Sequence, residues 1–293
     1  RLLNNKVCLL NEEYDLSTDR WHNPDASHLW NFNLHYLEFL IGLASAYKNT
    51  REYKYYEKFQ SILNSWIDNN KDLQGDAWEP YTISLRIPNL LISFELLGDI
   101  FGNDKEFKKK AIQSIYKQYR FLLQNQELHL LGNHYFENLK TIIICSICFG
   151  EEIIYNKYFK RFKKEIREQV LKDGLHFELS LTYHKIILEG LLRVYVTLRD
   201  KKLKDAELLI KPIQRMIDAL ASLEKGMGKT PLFNDAGDGI SKTTEQLLNA
   251  SEYLLGTKPC LKESFPDSGY YKIYNKNIAV IFDAGHIGPR YMT

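Results

Sequence analysis

The sequence predicts a mainly α-helical protein: an incomplete (α/α) toroid of antiparallel helix hairpins, followed by the first strands of a β domain. Apolar side chains recur with helical spacing through most of the chain before Gly226. Polar clusters interrupt these segments at nearly constant steps of 51, 48, 49 and 52 residues. The positions that mark the clusters are His35, Arg86, His134, Tyr183 and Asp235. Beyond Gly226 the sequence changes to turns and short strands.

The constant step is what predicts the arrangement of the helices. Each step holds two predicted helices, and two helices return the chain to the same end of a helical stack. We therefore expect the five polar clusters at one end of the stack, where they line a polar cleft.

The predicted elements follow the chain in order. Residues 1–32 are polar and predicted to be irregular, and residues 31–36 lead into a helix that ends near residue 47. Further helices are predicted at about 51–68, 104–124, 152–171, 204–224 and 243–255. Helices that begin at polar clusters end near residues 98, 150 and 198. Two strands between about 269 and 282 flank a turn signal at Asn275-Lys276-Asn277.

This order predicts two domains. The helical toroid is expected over residues 1–260, and the beginning of an incomplete β domain over residues 261–293. Because the chain begins with Arg1 and ends in a strand-rich region, we expect a fragment or a processed chain.

Composition narrows the class of partner. The 293 residues carry a formal charge of +2, so the sequence lacks the basic excess of nucleic-acid-binding proteins. No apolar run is long enough to span a bilayer, and the oligomeric state is left open. Cys145 and Cys148 lie in an apolar run without a second pair at zinc spacing, so buried packing is the preferred interpretation.

Two stretches combine groups that can transfer protons. In the first, Asn133, His134 and Glu137 lie at a predicted helix start, where positions three residues apart share a face. In the second, Glu178 is followed by Tyr183 and His184. A histidine, an amide and a tyrosine that converge form a candidate proton-transfer site. Taken singly, Asn133 as a helix cap and His134 or Tyr183 as packed side chains are the simpler interpretations.

A third polar stretch is the turn-rich loop 231–239. Asp235 and Asp238 can hold calcium in principle, but their spacing differs from that of an EF-hand loop. Capping and ordering of the loop is the preferred interpretation.

Five motifs in this order resemble the heparinase II/III-like polysaccharide lyases, which include heparin, heparan sulfate and alginate lyases. The motifs are Asn33-Leu34-His35-Tyr36, Ser84-Leu85-Arg86-Ile87, Gly132-Asn133-His134-x-x-Glu137-Asn138, Asp173-Gly174-x-His176-Phe177-Glu178 with Thr182-Tyr183-His184, and Pro231-Leu232-Phe233-Asn234-Asp235. The resemblance implies an N-terminal toroid followed by an antiparallel β-sandwich, of which only the start is expected here.

The resemblance also implies β-elimination on an acidic, uronic-acid-containing polysaccharide. Asn133 would neutralise the uronate carboxylate, and His134 and Tyr183 would act as base and acid, with Tyr183 as an alternative base. Glu137 in its protonated form would assist with the carboxylate. The residues predicted to contact substrate or support the site are Arg86, Glu137, Glu178, His184, His35 and Asp235.

No cofactor is expected in this chain. The family's further histidine and its structural metal belong to the part of the β domain that is expected to be missing, just beyond His286. A periplasmic or secreted location rests on the resemblance alone.

Two other functions stay open. One is a non-catalytic protein that binds an acidic glycan or serves polysaccharide assembly on the same toroid. The other is a glycoside hydrolase that pairs Glu137 or Glu178 with Asp235, because hydrolysis needs an acid and a base across the scissile bond.

Overall fold

The structure is a computed structural model that describes residues 1–18, 20–275 and 278–285. The chain divides into two compact units, Arg1–Leu130 and Leu131–Thr293. Within the described ranges, no helix combines the length and apolar character that a membrane crossing needs.

Unit 1 begins with an antiparallel hairpin of β1 (Lys6–Leu9) and β2 (Glu12–Asp15), in which Val7 lies opposite Tyr14. Helices make up most of the remainder. They are α1 (His28–Tyr36), α2 (Phe39–Thr50), α3 (Tyr53–Asn69), α4 (Pro80–Leu97), α5 (Asp99–Asn103) and α6 (Lys105–Leu122).

The start of unit 1 differs from the prediction. Residues 1–32 are not irregular, because they contain the hairpin and the first turn of α1, where the Ser27 side chain accepts a hydrogen bond from the Trp30 backbone N–H. The helix expected to run to about residue 47 is also interrupted. Leu37 adopts a left-handed backbone (φ 52°) and ends α1, and its fully buried side chain stabilises that conformation.

Unit 2 contains five described helices and a small sheet. The helices are α7 (Gly132–Cys148), α8 (Glu152–Gln169), α9 (Leu181–Asp200), α10 (Glu207–Glu224) and α11 (Thr244–Leu255). The strands β3 (Ser264–Phe265), β4 (Tyr270–Tyr274) and β5 (Ala279–Asp283) form an antiparallel sheet in that order. The strand pair expected near residues 269–282 is present, while Lys276 and Asn277 of the expected turn lie outside the described residues.

Helix α7 packs closely against α8 and α9. A Cβ atom on Gly190 of α9 would lie 2.7 Å from Cε1 of Phe136 on α7, so the contact requires glycine. Cys145 is buried as predicted, whereas Cys148 is exposed because it ends the helix. The prediction of buried packing is thus right for one cysteine and wrong for the other.

The strands of unit 2 are anchored to its helices by buried polar groups. The Asp173 carboxylate accepts a hydrogen bond from the Ser268 backbone N–H at 2.7 Å. The Tyr270 hydroxyl donates to the Leu179 carbonyl at 2.8 Å. The Lys272 ammonium donates to carbonyls at the end of α10. The predicted boundary near residue 260 stays a prediction, and these contacts cross it.

Candidate active site

A cluster of polar side chains forms in unit 2 where three segments meet: the start of α7, the residues around the start of α9, and the loop that follows α10. Its members are Asn133, His134, Glu178, Tyr183 and Asp235, which we call the polar cluster. The Tyr183 hydroxyl donates a hydrogen bond to Asp235 Oδ2 at 2.9 Å. The backbone N–H of Asn133 donates to the Glu178 carboxylate, and the charges of Asp235 and His134 act on the same carboxylate.

The loop that carries Asp235 is fixed on both sides of that residue. Asn234 donates from Nδ2 to the Leu179 carbonyl at 2.9 Å. The Thr182 hydroxyl accepts from the Gly237 N–H at 2.9 Å and donates to the Gly237 carbonyl at 3.0 Å. A hydroxyl can do both at once. These bonds hold the carboxylate opposite the phenol at the start of α9.

Tyr183 is held in its protonated form. Burial raises its pKa to about 12, and the hydrogen bond to the negatively charged Asp235 carboxylate acts in the same direction. The phenol therefore keeps its proton throughout the neutral range. This electrostatic setting suits a proton donor.

Glu178 is the carboxyl group of the cluster whose titration lies near neutrality. Burial raises its pKa to about 7, and the neighbouring Asp235 charge adds to the effect, while the Asn133 N–H and His134 oppose it. Its Oε1 atom is buried and has no hydrogen-bond partner in the described part of the chain. Buried polar atoms are usually paired, so this oxygen marks a place that a ligand group can fill.

His184, a predicted substrate or supporting group, is fully buried beside the cluster. Its Nδ1 accepts from the His176 backbone N–H at 3.3 Å, and its Nε2 contacts the Met216 carbonyl at 3.0 Å. Burial lowers its pKa to about 4, so the ring is neutral and donates through Nε2. These contacts join the loop before α9 to α10 and favour a structural role.

Glu137 faces the packing between α7 and α9. It forms an ion pair with Lys140, and both side chains are buried. Glu137 Oε1 would lie 3.4 Å from a Cβ atom on Gly190, which places the carboxylate against α9. The geometry favours an internal ion pair, and the predicted contact of Glu137 with substrate stays a prediction.

His35 and Arg86 belong to unit 1, where they are in direct contact. Arg86 is fully buried and donates to Gln118 Oε1 at 2.8 Å, the His35 carbonyl at 3.0 Å and the Ala77 carbonyl at 2.8 Å. Its guanidinium lies 4.2 Å from the Trp66 ring centre. The sequence step thus brings the first two clusters together, in a buried network. Contact with substrate stays a prediction for both residues.

Two residues of the site escaped the sequence analysis as individual groups. Asn234 adopts a left-handed backbone (φ 52°), which asparagine tolerates better than most residues, and its place beside Asp235 is a usable signal. Tyr270 also reaches the Leu179 carbonyl, but it lies 91 residues further on and no local pattern indicates the pairing.

Among the described residues, no group of three His, Cys, Asp or Glu side chains is arranged to hold a metal ion. Asp235 of the turn-rich loop is engaged by Tyr183. His286 lies outside the described residues, so the expectations for the β domain stay untested.

Comparison with known proteins adds a family match. Residues 5–257 match the domain described as Heparinase II/III N-terminus. A heparin-sulfate lyase from Pedobacter heparinus is 23% identical over 233 residues, which cover 76% of this chain and 35% of that protein. A heparin-sulfate lyase from Bacteroides thetaiotaomicron is 24% identical over 168 residues, covering 55% and 24% of the two chains.

Solved structures show the same fold. A crystal structure of heparinase III superposes with a TM-score of 0.74 at 19% identity, covering 91% of this chain and 47% of the other. A heparan sulfate lyase mutant from Pedobacter heparinus gives 0.70 at 19% identity, with 97% and 50% covered. The chain spans about half the length of these structures. The predicted fold class, helical hairpins followed by antiparallel strands, is confirmed.

Proposed function

The chain belongs to the heparinase II/III family, and from this premise we propose that it cleaves a uronic-acid-containing polysaccharide by β-elimination. The observation that carries the proposal is the hydrogen bond between Tyr183 and Asp235, made beside Asn133, His134 and Glu178. It keeps a proton donor ready next to an amide and a histidine, which are the groups that elimination requires.

The reaction removes the C5 proton of a uronate, which is a weak carbon acid. Charge then builds on the adjacent carboxylate, so that group must be neutralised by hydrogen-bond donors. A base takes the C5 proton, the electron pair forms the C4–C5 double bond, and an acid protonates the departing glycosidic oxygen.

Asn133 has the position of a carboxylate-binding group. It is the second residue of α7, where the dipole of the helix favours an anion. Its side-chain amide supplies two more donors. We assign it to neutralise the uronate carboxylate.

His134 and Tyr183 divide the proton transfers. His134 is partly exposed, follows Asn133 on α7 and is assigned as the base. Tyr183 is assigned as the acid, because its raised pKa keeps the phenol protonated until a glycosidic oxygen with growing negative charge accepts the proton. Tyr183 as the base would first have to lose that proton beside the Asp235 carboxylate, which is unfavourable.

The relatives are named heparin-sulfate lyases, so polymers of the heparin and heparan sulfate type are the first substrates to test. Alginate is included as a uronate polymer without amino sugars. Calorimetry with this chain measures binding, and ultraviolet absorbance follows the conjugated double bond that only elimination creates.

Tyr183→Phe is the decisive variant. We expect turnover to fall by about a thousandfold, the middle of the range for loss of a general acid, while oligosaccharide affinity changes less than about threefold. If the absorbance rose as fast with Tyr183→Phe as with the wild type, Tyr183 could not be the acid. Binding without any product would support the non-catalytic glycan-binding function instead.

One observation favours a second candidate, a glycoside hydrolase. Glu178, with its pKa raised to about 7, lies near the Asp235 carboxylate, and hydrolases use such an unequal pair as acid and base. This function predicts new reducing ends without absorbance at the double-bond band. It also predicts that Glu178→Gln abolishes turnover while Tyr183→Phe is tolerated.

A further inference from the structure

The Glu178 carboxyl group has one satisfied and one unsatisfied side. The Asn133 backbone N–H donates to the carboxylate, whereas Oε1 is buried without a partner in the described part of the chain. A buried oxygen without a hydrogen bond destabilises the protein unless a bound group supplies that hydrogen bond. Asn133 is also the residue proposed to bind the substrate carboxylate. We therefore expect that carboxylate to be the group that hydrogen-bonds to Glu178 Oε1.

We propose that Glu178 binds the uronate carboxylate in its protonated form, donating from its carboxyl O–H the hydrogen bond that, with Asn133, neutralises the charge. This inference rests on the proposed function, and it assigns Glu178 a defined role in that reaction.

The negative charges that meet in the polar cluster require one carboxyl group to be protonated when the uronate binds. A uronate carboxylate that enters beside Asn133 also meets the carboxyl groups of Glu178 and Asp235. Three adjacent carboxylates repel one another unless a proton is shared between two of them. The Tyr183 hydroxyl keeps its proton and is hydrogen-bonded to Asp235, and His134 on α7 is assigned as the base. Glu178 is therefore the remaining group that can carry the proton.

The titration of Glu178 agrees with this geometry. With a pKa of about 7, the free protein holds this proton about half the time at neutral pH. An anion placed next to the carboxyl group raises the pKa further, so binding of the uronate draws in a proton. The proton stays on Glu178 through the reaction. The C5 proton goes to His134, the electron pair forms the double bond, and the Tyr183 proton goes to the departing oxygen.

Glu137 was the residue expected to take this role. Its buried ion pair with Lys140 and its place against Gly190 direct it into the contact between α7 and α9. We therefore assign the protonated carboxyl group to Glu178, while the role expected for Glu137 stays a prediction.

The test counts protons and needs no turnover. A tetrasaccharide of alternating glucuronate and N-acetylglucosamine is titrated into the chain at pH 8 by calorimetry, in two buffers with different ionisation enthalpies. We expect uptake of about one proton per bound tetrasaccharide, because a group with a pKa near 7 is mostly ionised at pH 8. Affinity should fall about tenfold for each pH unit above 8.

Three comparisons isolate Glu178. Glu178→Gln carries a permanent donor and should bind without proton uptake and without this pH dependence. Glu178→Asp keeps a carboxyl group and should retain the uptake, which controls for folding of the variant. Glu252→Gln changes an exposed carboxylate on α11 and should behave as the wild type. A tetrasaccharide whose carboxyl groups are reduced to alcohols should bind without uptake.

The outcomes separate this inference from the proposed function. Tight binding without proton uptake in the wild type overturns the role of Glu178 and leaves the lyase proposal standing. Uptake that persists in Glu178→Gln assigns the proton to another group and also overturns it. Absence of binding to every uronate oligosaccharide rejects the proposed function, and this inference with it.

Discussion

Tyr183 and Asp235 show how two adjacent groups set the direction of a proton transfer. The phenol donates to the carboxylate at 2.9 Å, so the carboxylate stabilises the protonated phenol and opposes its ionisation. Burial contributes the larger part of the effect. A tyrosine in this setting gives up its proton only to a stronger base, such as a glycosidic oxygen whose bond to carbon is breaking.

Asp235→Asn should lower the pKa of Tyr183 from about 12 toward its ordinary value near 10, because the amide removes the negative charge and leaves the burial. Nuclear magnetic resonance titration of ring-labelled tyrosine measures this, with Tyr183→Phe identifying the signal. Turnover should fall about tenfold, less than in Tyr183→Phe, because the acid is still present. An unchanged pKa would show that Asp235 does not bond the phenol in solution.

His184 illustrates the second kind of residue in the motif, one that supports the site from the interior. Burial holds its pKa at about 4, below the ordinary value of 6.5. Between these values the unfolded chain binds a proton that the folded chain does not. The contribution of His184 to stability is therefore complete above pH 6.5 and is lost as the pH falls toward 4.

The lowered pKa of His184 makes the unfolding free energy fall as the pH falls, which can be measured. The wild type should lose about 3 kcal/mol of unfolding free energy between pH 6.5 and 4 through His184, since one pKa unit corresponds to about 1.4 kcal/mol. His35 and His176 add to the same acid loss. The free-energy difference between wild type and His184→Gln, from denaturant unfolding, isolates this residue and should shrink by that amount at pH 4. A difference that is constant with pH would contradict a neutral buried ring.

Membership of one sequence motif does not reveal which of these two roles a residue has. Tyr183 and His184 are neighbours in sequence, yet one faces the polar cluster and the other faces α10. The resemblance implied a catalytic role for Tyr183 and a substrate-contacting or supporting role for His184, and it could not distinguish the two faces of the helix. In the structure α9 begins at Leu181, which directs these two neighbouring side chains to different faces.

At the scale of elements, apolar periodicity predicted the helices well, since their burial is a local, repeated pattern. The expected helix at about 152–171 is observed as Glu152–Gln169, and the one at about 243–255 as Thr244–Leu255. The break at Leu37 was missed, because a leucine in a left-handed conformation has no local signal and depends on tertiary burial.

The contact of α7 with α9 should be sensitive to one methyl group. Gly190→Ala places a Cβ atom 2.7 Å from the buried ring of Phe136, which is itself packed against Phe162. We expect a loss of about 2 kcal/mol in unfolding free energy, as for other overpacked cores, measured by denaturant unfolding.

Gly42→Ala is the matched control, because Gly42 lies in α2 and has no atom within 4 Å of its added Cβ. Alanine there should stabilise the protein by about 1 kcal/mol through helix propensity. If Gly190→Ala were as favourable as Gly42→Ala, the close approach of α7 and α9 would be refuted.

At the scale of the whole molecule, unit 2 joins its helices and strands through the same residues that support the site. Leu179, next to Glu178, accepts hydrogen bonds from Tyr270 of β4 and from Asn234 of the Asp235 loop. Lys272 of β4 donates to the Ser222 and Leu223 carbonyls at 2.6 and 2.7 Å. We propose that β3, β4 and the turn between them stabilise the polar cluster, although a domain boundary near residue 260 is predicted from sequence.

Lys272→Met tests the link between the strands and α10. The change keeps most of the apolar stem of the side chain and removes the donor to several C-terminal carbonyls, which α10 cannot satisfy by itself. Because the side chain is 2% exposed, water does not readily replace it. We expect a loss of about 3 kcal/mol, compared with less than about 0.5 kcal/mol for Lys211→Met, an exposed lysine on the same helix.

Shortening the chain to residues 1–260 tests the larger claim. It removes the Ser268 N–H from Asp173 and the Tyr270 hydroxyl from Leu179, so both ends of the loop before α9 lose a buried partner. We expect backbone amides of residues 173–180 to exchange with solvent at least about tenfold faster. The reason is that the free energy of local opening falls by at least about 1.4 kcal/mol. Amides in α3, within unit 1, provide the internal reference and should keep their exchange rates. Equal protection of residues 173–180 in the short and the original chain would show that the helical domain holds the site without the strands, as the boundary predicted from sequence implies.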